Sequence, residues 1–118
     1  MTPVKHLREA KALIAVPKQW IQKSFRDPEN NSYCIIGAIY QIANLKYNRS
    51  TEFGIMFRSI TKATNILYAA ISSQNITERD FVYKEETIIL WNDAPKRTHA
   101  EVMCAFDRAI ALAEKECT

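Results

Sequence analysis

Apolar and polar positions alternate along this chain with a helical period in three places, and punctuation separates them. Thr2-Pro3 offers a capping hydroxyl followed by a proline at the first helical position, where its missing N–H costs nothing. Val4, Leu7, Ala10, Leu13 and Ile14 then recur at three- and four-residue steps up to Pro17, which predicts a first helix. Residues 17–32 hold Pro17 and Pro28, an Asp-Pro turn signal and two adjacent asparagines. They read as a loop with a short helical turn around Trp20, pinned to the core by Trp20, Ile21 and Phe25.

Ser32 is placed to cap a second helix, whose run from Tyr33 to Ala43 is apolar on nearly every side and so is expected to be buried all round. Gly37 inside it costs about 1 kcal/mol against alanine, which makes sense where another backbone or a ligand must come close. The third helix is the clearest. Phe53, Met56, Phe57, Ile60, Ala63, Leu67, Ala70 and Ile71 form its stripe, expected to be plain core packing, opposite Glu52, Arg58, Lys62 and Asn65. Thr77 and Asp80 can cap a turn, and residues 84–91 fit either a brief extended piece or a helical turn. Thr98 and Glu101 make a capping box for a last helix, with Val102, Phe106, Ala109, Ile110, Ala113 and Cys117 on its apolar side. The sum is an all-α bundle of four or five helices, a single domain over residues 1–118, with at most a minor extended segment near 84–91.

Composition narrows the classes. With 118 residues, 47% hydrophobic, the chain can bury a core without metal or disulfide staples. The three cysteines, Cys34, Cys104 and Cys117, are odd in number and widely spaced, so reduced thiols are expected. The first residues mix charge with apolar side chains and suit neither a secretory signal nor a membrane span, which points to a cytoplasmic protein. The net charge of +3 is uneven: residues 1–26 carry six cations against Glu9, leaving +5 there and −2 elsewhere. An anionic partner for that face, Arg8 included, is one reading, and a solvated helix surface is the other. A pI near 8.8 is not extreme, and without a helix-turn-helix signature a nucleic-acid reader is not expected. Neither Walker-type nor G-x-G-x-x-G loops occur, so nucleotide hydrolysis and dinucleotide chemistry have no support. His6 and His99 lie far apart, the carboxylates Glu85 and Glu86 read as a solvated pair, and no metal or cofactor is implied.

Several motifs together are similar to a known family. Pro17-x-x-Trp20, Cys34-x-x-Gly37-Ala38, Trp91-Asn92-Asp93 followed by Arg97-Thr98-x-x-Glu101-Val102, and a closing Asp107-x-Ala109-Ile110 resemble a family of small bacterial and phage proteins catalogued only as a domain of unknown function. Tyr33 stands where such proteins carry tryptophan. The resemblance covers nearly the whole chain, implies a one-domain helical fold and implies no reaction.

Candidate chemistry gathers at residues 91–98. Asn92, Asp93 and Pro95 can fold the chain sharply through an Asx-turn. Lys96, Arg97 and Thr98 stand at a helix N-terminus, whose free N–H groups and positive dipole end receive phosphates and carboxylates. There Arg97 would supply a two-pronged donor and Lys96 a point charge, and Asp93 would fix Arg97 or accept from a ribose or base edge. Trp91 or Tyr33 could stack on an aromatic ring, although burial in the core is the expected fate of each. The leading expectation is a non-catalytic protein that captures an anionic small ligand such as a signal nucleotide. The alternative is a protein-interaction module or inhibitor of a host enzyme, often a homo-oligomer. A third reading makes Cys34 a nucleophile with His99 and Asp93 or Asn92, against its being a small buried hydrophobe beside an exposed histidine.

Overall fold

The computed structural model describes residues 1–116, so the expected place of Cys117 in the last apolar stripe lies outside the described residues. Five α-helices run through them: α1 (Pro3–Leu13), α2 (Ile35–Lys46), α3 (Phe53–Ser72), α4 (Phe81–Asn92) and α5 (His99–Glu116). The Thr2 hydroxyl accepts the Lys5 N–H at 3.2 Å and caps α1. Thr98 and Glu101 close the capping box of α5, with the Glu101 carboxylate on the Thr98 N–H at 2.9 Å and the Thr98 hydroxyl on the Glu101 N–H at 3.2 Å. α3 is the central element. It packs against all four other helices, and α1 and α5 close on each other beside it. The core is largely apolar, with Leu7, Ile14, Ile35, Ile39, Ile60, Leu67, Ile88, Val102 and Phe106 each 1% exposed or less, and a few polar side chains, His6, Thr64 and Asn92 among them, are buried with it. No helix among the described residues is long and apolar enough to cross a membrane.

Residues 84–91 are helical, not extended. Their apolar side chains surround α4 instead of marking one face, yet Lys84 and Ile88, four apart, are buried and turn one face of α4 inward toward α3 and α2. Asp80 opens the helix in a left-handed conformation, φ 60, and Thr77 caps nothing. Its carbonyl and hydroxyl are taken by Lys84 instead.

The loop after α1 also differs in detail. A single 3₁₀ turn, Pro17–Gln19, precedes a two-residue antiparallel hairpin, β1 (Arg26–Asp27) on β2 (Ser32–Tyr33). Cys34, not Ser32, caps α2: its Sγ accepts the Gly37 N–H at 3.3 Å. The Phe25 ring is 56% exposed and pins nothing; its carbonyl does the pinning, accepting the Cys34 N–H at 3.2 Å. That explains Gly37. A Cβ there would sit 1.9 Å from the Phe25 carbonyl oxygen, so another backbone does come close, as expected.

On α3 the stripe holds at Met56, Ile60, Ala63, Leu67 and Ala70 but fails at Phe53 and Phe57, which are 49% and 43% exposed. Their rings stack on each other and Phe57 meets Phe81 edge-on at 5.4 Å. α4 begins only at Phe81, so the rings are covered on one side alone.

Candidate functional site

The residues expected to receive a ligand are largely spent on one another. Asn92 is 1% exposed and uses its whole amide. Its Oδ1 accepts the Trp20 indole N–H at 2.8 Å and the Ile35 N–H at 3.2 Å, while its Nδ2 donates to the Ile21 carbonyl and the Asp93 carboxylate. Asp93 Oδ1 also accepts the Lys23 N–H at 2.8 Å, where Lys23 takes a positive φ of 67. The Gln22 amide bridges the Asn92 and Ala94 carbonyls, each at 2.9 Å. Arg97 lies 3.7 Å over the Trp91 ring, donates from Nε to the Trp91 carbonyl and from Nη1 to Glu101 at 3.0 Å.

Trp91, Asn92, Asp93, Arg97 and Thr98 thus meet in a clasp that fastens the loop after α1 to the α4–α5 turn. The Glu101 carboxylate already occupies the place an incoming anion would take. The Thr98 N–H and hydroxyl, and then Arg97, hold its carboxyl below the usual carboxylate range. Of the expected set, Lys96 is exposed and has no partner among the described residues, Arg8 pairs with Glu114 on the α1–α5 surface at 3.2 Å, and Tyr33 lines a separate cleft.

Cys34, His99 and Asp93 form no catalytic set. The Cys34 thiol is buried, serves the Gly37 N–H, and is pushed up by its burial, opposite to what a nucleophile needs. His99 is half-buried, its Nε2 donating to the Ile14 carbonyl at 2.8 Å.

A different cation stands out. Lys84, in the first turn of α4, is 5% exposed. Its ammonium donates to the Thr77 carbonyl and hydroxyl, both at 2.7 Å, with a longer 3.5 Å contact to Asn65 Oδ1, and lies 5.7 Å from the Tyr68 ring centre. Among the described residues no carboxylate pairs with it. A buried charge with neutral partners alone is costly, and the positive end of the α4 dipole adds to that cost. That end is also open, since Asp80 makes no side-chain cap and the first turn holds no acid. Above Lys84 a pocket of about 560 Å³ is lined by Ser73, Gln74, Asn75, Thr77, Arg79, Asp80 and Tyr83. The sequence carried one signal for it, a lysine four residues before Ile88 and so on the same, inward face of α4.

The sequence model of a family of unknown function, DUF6197, matches residues 1–112. The chain belongs to DUF6197. No curated protein and no solved structure matches it. For this member of DUF6197, chemistry must therefore be read from the sites themselves, and a second cleft is present. It measures about 440 Å³ and lies between the hairpin, α2 and α4. On its wall the Tyr40 hydroxyl donates to Glu85 at 2.5 Å; burial first, and then that carboxylate, push the phenol far up. Glu85 is therefore half-buried and bonded instead of half of a solvated pair, and only Glu86 is exposed.

Proposed function

We propose that this protein is a non-catalytic binding protein that captures an anionic small ligand of nucleotide type, held at the Lys84 pocket instead of at Arg97. The carrying observation is the Lys84 ammonium, 5% exposed and without a carboxylate. A phosphate there would compensate it while receiving the open N–H groups of α4 and the Arg79 guanidinium from the same pocket. Tyr83, 62% exposed and edge-on to Tyr68, offers a face for a base. In a bacterial or phage cytoplasm, such capture would act by sequestering a signal nucleotide.

Thermal unfolding against a panel of inorganic phosphate, mononucleotides and cyclic and linear dinucleotides tests this. Ligand at a hundred times its Kd should stabilise the fold by about 2.7 kcal/mol. Lys84→Met should abolish the rise without unfolding the protein, because replacing a buried charge by an apolar isostere is often neutral or stabilising. Arg97→Ala should lower the melting temperature yet keep the ligand response. If no compound on the panel raises the melting temperature, or Lys84→Met responds as the parent does, the reading fails.

A second reading, an interaction module that assembles as a homo-oligomer, is favoured by the apolar outer side of α3 and α4. There Phe53, Phe57, Val82 and Leu90 are 43–73% exposed, and apolar side chains gathered on one surface are what a protein–protein contact covers. Native mass spectrometry would show a dimer that Val82→Glu with Leu90→Glu disperses; a monomeric parent protein rejects it.

A further inference from the structure

The cleft between the hairpin, α2 and α4 carries a charge pattern separate from the Lys84 site. Glu85 receives the Tyr40 hydroxyl on Oε2, and its Oε1 has no donor among the described residues. Arg26 lines the same cleft with its guanidinium 5.6 Å above the Tyr33 ring centre and no carboxylate partner. The ion pairs among the described residues lie elsewhere, at Arg8–Glu114, Lys11–Asp107 and Arg97–Glu101. A carboxylate and a guanidinium thus share one cleft without pairing with each other. Gln41 and Asn44, nearly one helical turn apart on α2, add two side-chain amides that make no hydrogen bond among the described residues.

The walls are preformed. The Phe25 backbone is fixed against α2 by the Cys34 N–H and by its contact over Gly37, so the hairpin side cannot collapse into the space. A volume of about 440 Å³ falls in the range of small-molecule sites.

We propose that this cleft binds a small zwitterion of amino-acid type, its ammonium on Glu85, its carboxylate on Arg26 and its side chain against the Phe25 ring. The charges select this class. An anion alone would meet the Glu85 carboxylate, and a simple cation would meet Arg26. A molecule with both charges a few bonds apart satisfies each, and the Gln41 and Asn44 amides then hydrogen-bond its remaining polar atoms.

Calorimetry with the twenty common amino acids, and with the decarboxylated amine and deaminated acid of each binder, tests the proposal. For phenylalanine the two comparators are phenethylamine and 3-phenylpropanoate. At least one amino acid should bind, its amine and its acid each at least tenfold more weakly. Glu85→Gln and Arg26→Met should each cost tenfold or more, while Lys84→Met should leave this binding unchanged, which separates it from the nucleotide reading. Amide chemical shifts of Gly37 and the side-chain amides of Gln41 and Asn44 should move on titration, a readout in the unaltered protein that does not depend on how the variants fold. The proposal is overturned if no amino acid binds, if the amine or the acid binds as well as the zwitterion, or if the shifts move elsewhere.

Discussion

Asn92 is a single amide that joins three stretches of chain. Removing it leaves the Trp20 indole N–H, the Ile35 N–H and the Ile21 carbonyl without partners. Each buried polar group left unsatisfied costs about 1–3 kcal/mol. Asn92→Ala should therefore lower the unfolding free energy by roughly 3 kcal/mol or more, measured by urea denaturation; a loss within about 0.5 kcal/mol, the range of an ordinary surface change, would show that the clasp is dispensable. The sequence marked Asn92 and Asp93 as turn-makers, which concerns neighbours in the chain. Partners 57–72 residues away leave no local trace, so the clasp was legible as punctuation and illegible as a knot. His6 was missed for the same reason. It is fully buried, with Nε2 donating to the Ile39 carbonyl and Nδ1 accepting from the Ser59 hydroxyl, each at 2.8 Å. Burial lowers its pKa from the ordinary 6.5. The unfolded chain then binds the proton more readily than the folded one, so His6 contributes its full stability above pH 6.5 and loses it as pH falls through the lower folded value. Urea midpoints should drop from pH 7.5 to pH 5, and His6→Asn should flatten that slope while lowering the plateau. An unchanged slope in the variant would assign the pH dependence to other groups.

At the scale of elements, periodicity located α1, α3 and α5 because each has one apolar face and one polar one. It could not place α4, whose apolar residues point all round and whose single buried lysine breaks the pattern. Periodicity also names a face without saying what covers it, which is why Phe53 and Phe57 belong to the stripe and still face outward. Gly37 shows the opposite case, in which the absence of a side chain predicted a close neighbour and the hairpin backbone proved to be it. In Gly37→Ala the new methyl must push the Phe25 carbonyl away. Forced overpacking of this kind costs about 1–3 kcal/mol, against the gain in helix propensity of about 1 kcal/mol. The variant should be less stable in thermal unfolding, and its amide shifts should move at residues 24–34. A variant more stable than the parent would mean that the hairpin is free to shift.

Over the whole molecule, the charge asymmetry read from the sequence is partly neutralised at home. Lys11 meets Asp107 at 2.6 Å and Arg8 meets Glu114 at 3.2 Å, so the basic side of α1 is laid against acids of α5. That is why the concentration of cations in residues 1–26 does not by itself point to an anion site, whereas Lys84, buried with neutral partners among the described residues, is the cation on which the proposed ligand reading rests. The fold class was legible because it follows from local patterns. The candidate pockets were not, since each is assembled from elements whose packing alone brings them together.

The clasp also makes the protein its own spectroscopic reporter. The chain has two tryptophans, and both are clasp members: Trp20 donates to Asn92, and Trp91 lies under the Arg97 guanidinium. Intrinsic emission therefore views one spot, the fastening of the N-terminal loop, while far-ultraviolet dichroism views the helices. In a cooperative unfolding the two signals coincide. Where they separate, the emission change marks the clasp letting go while the bundle still stands.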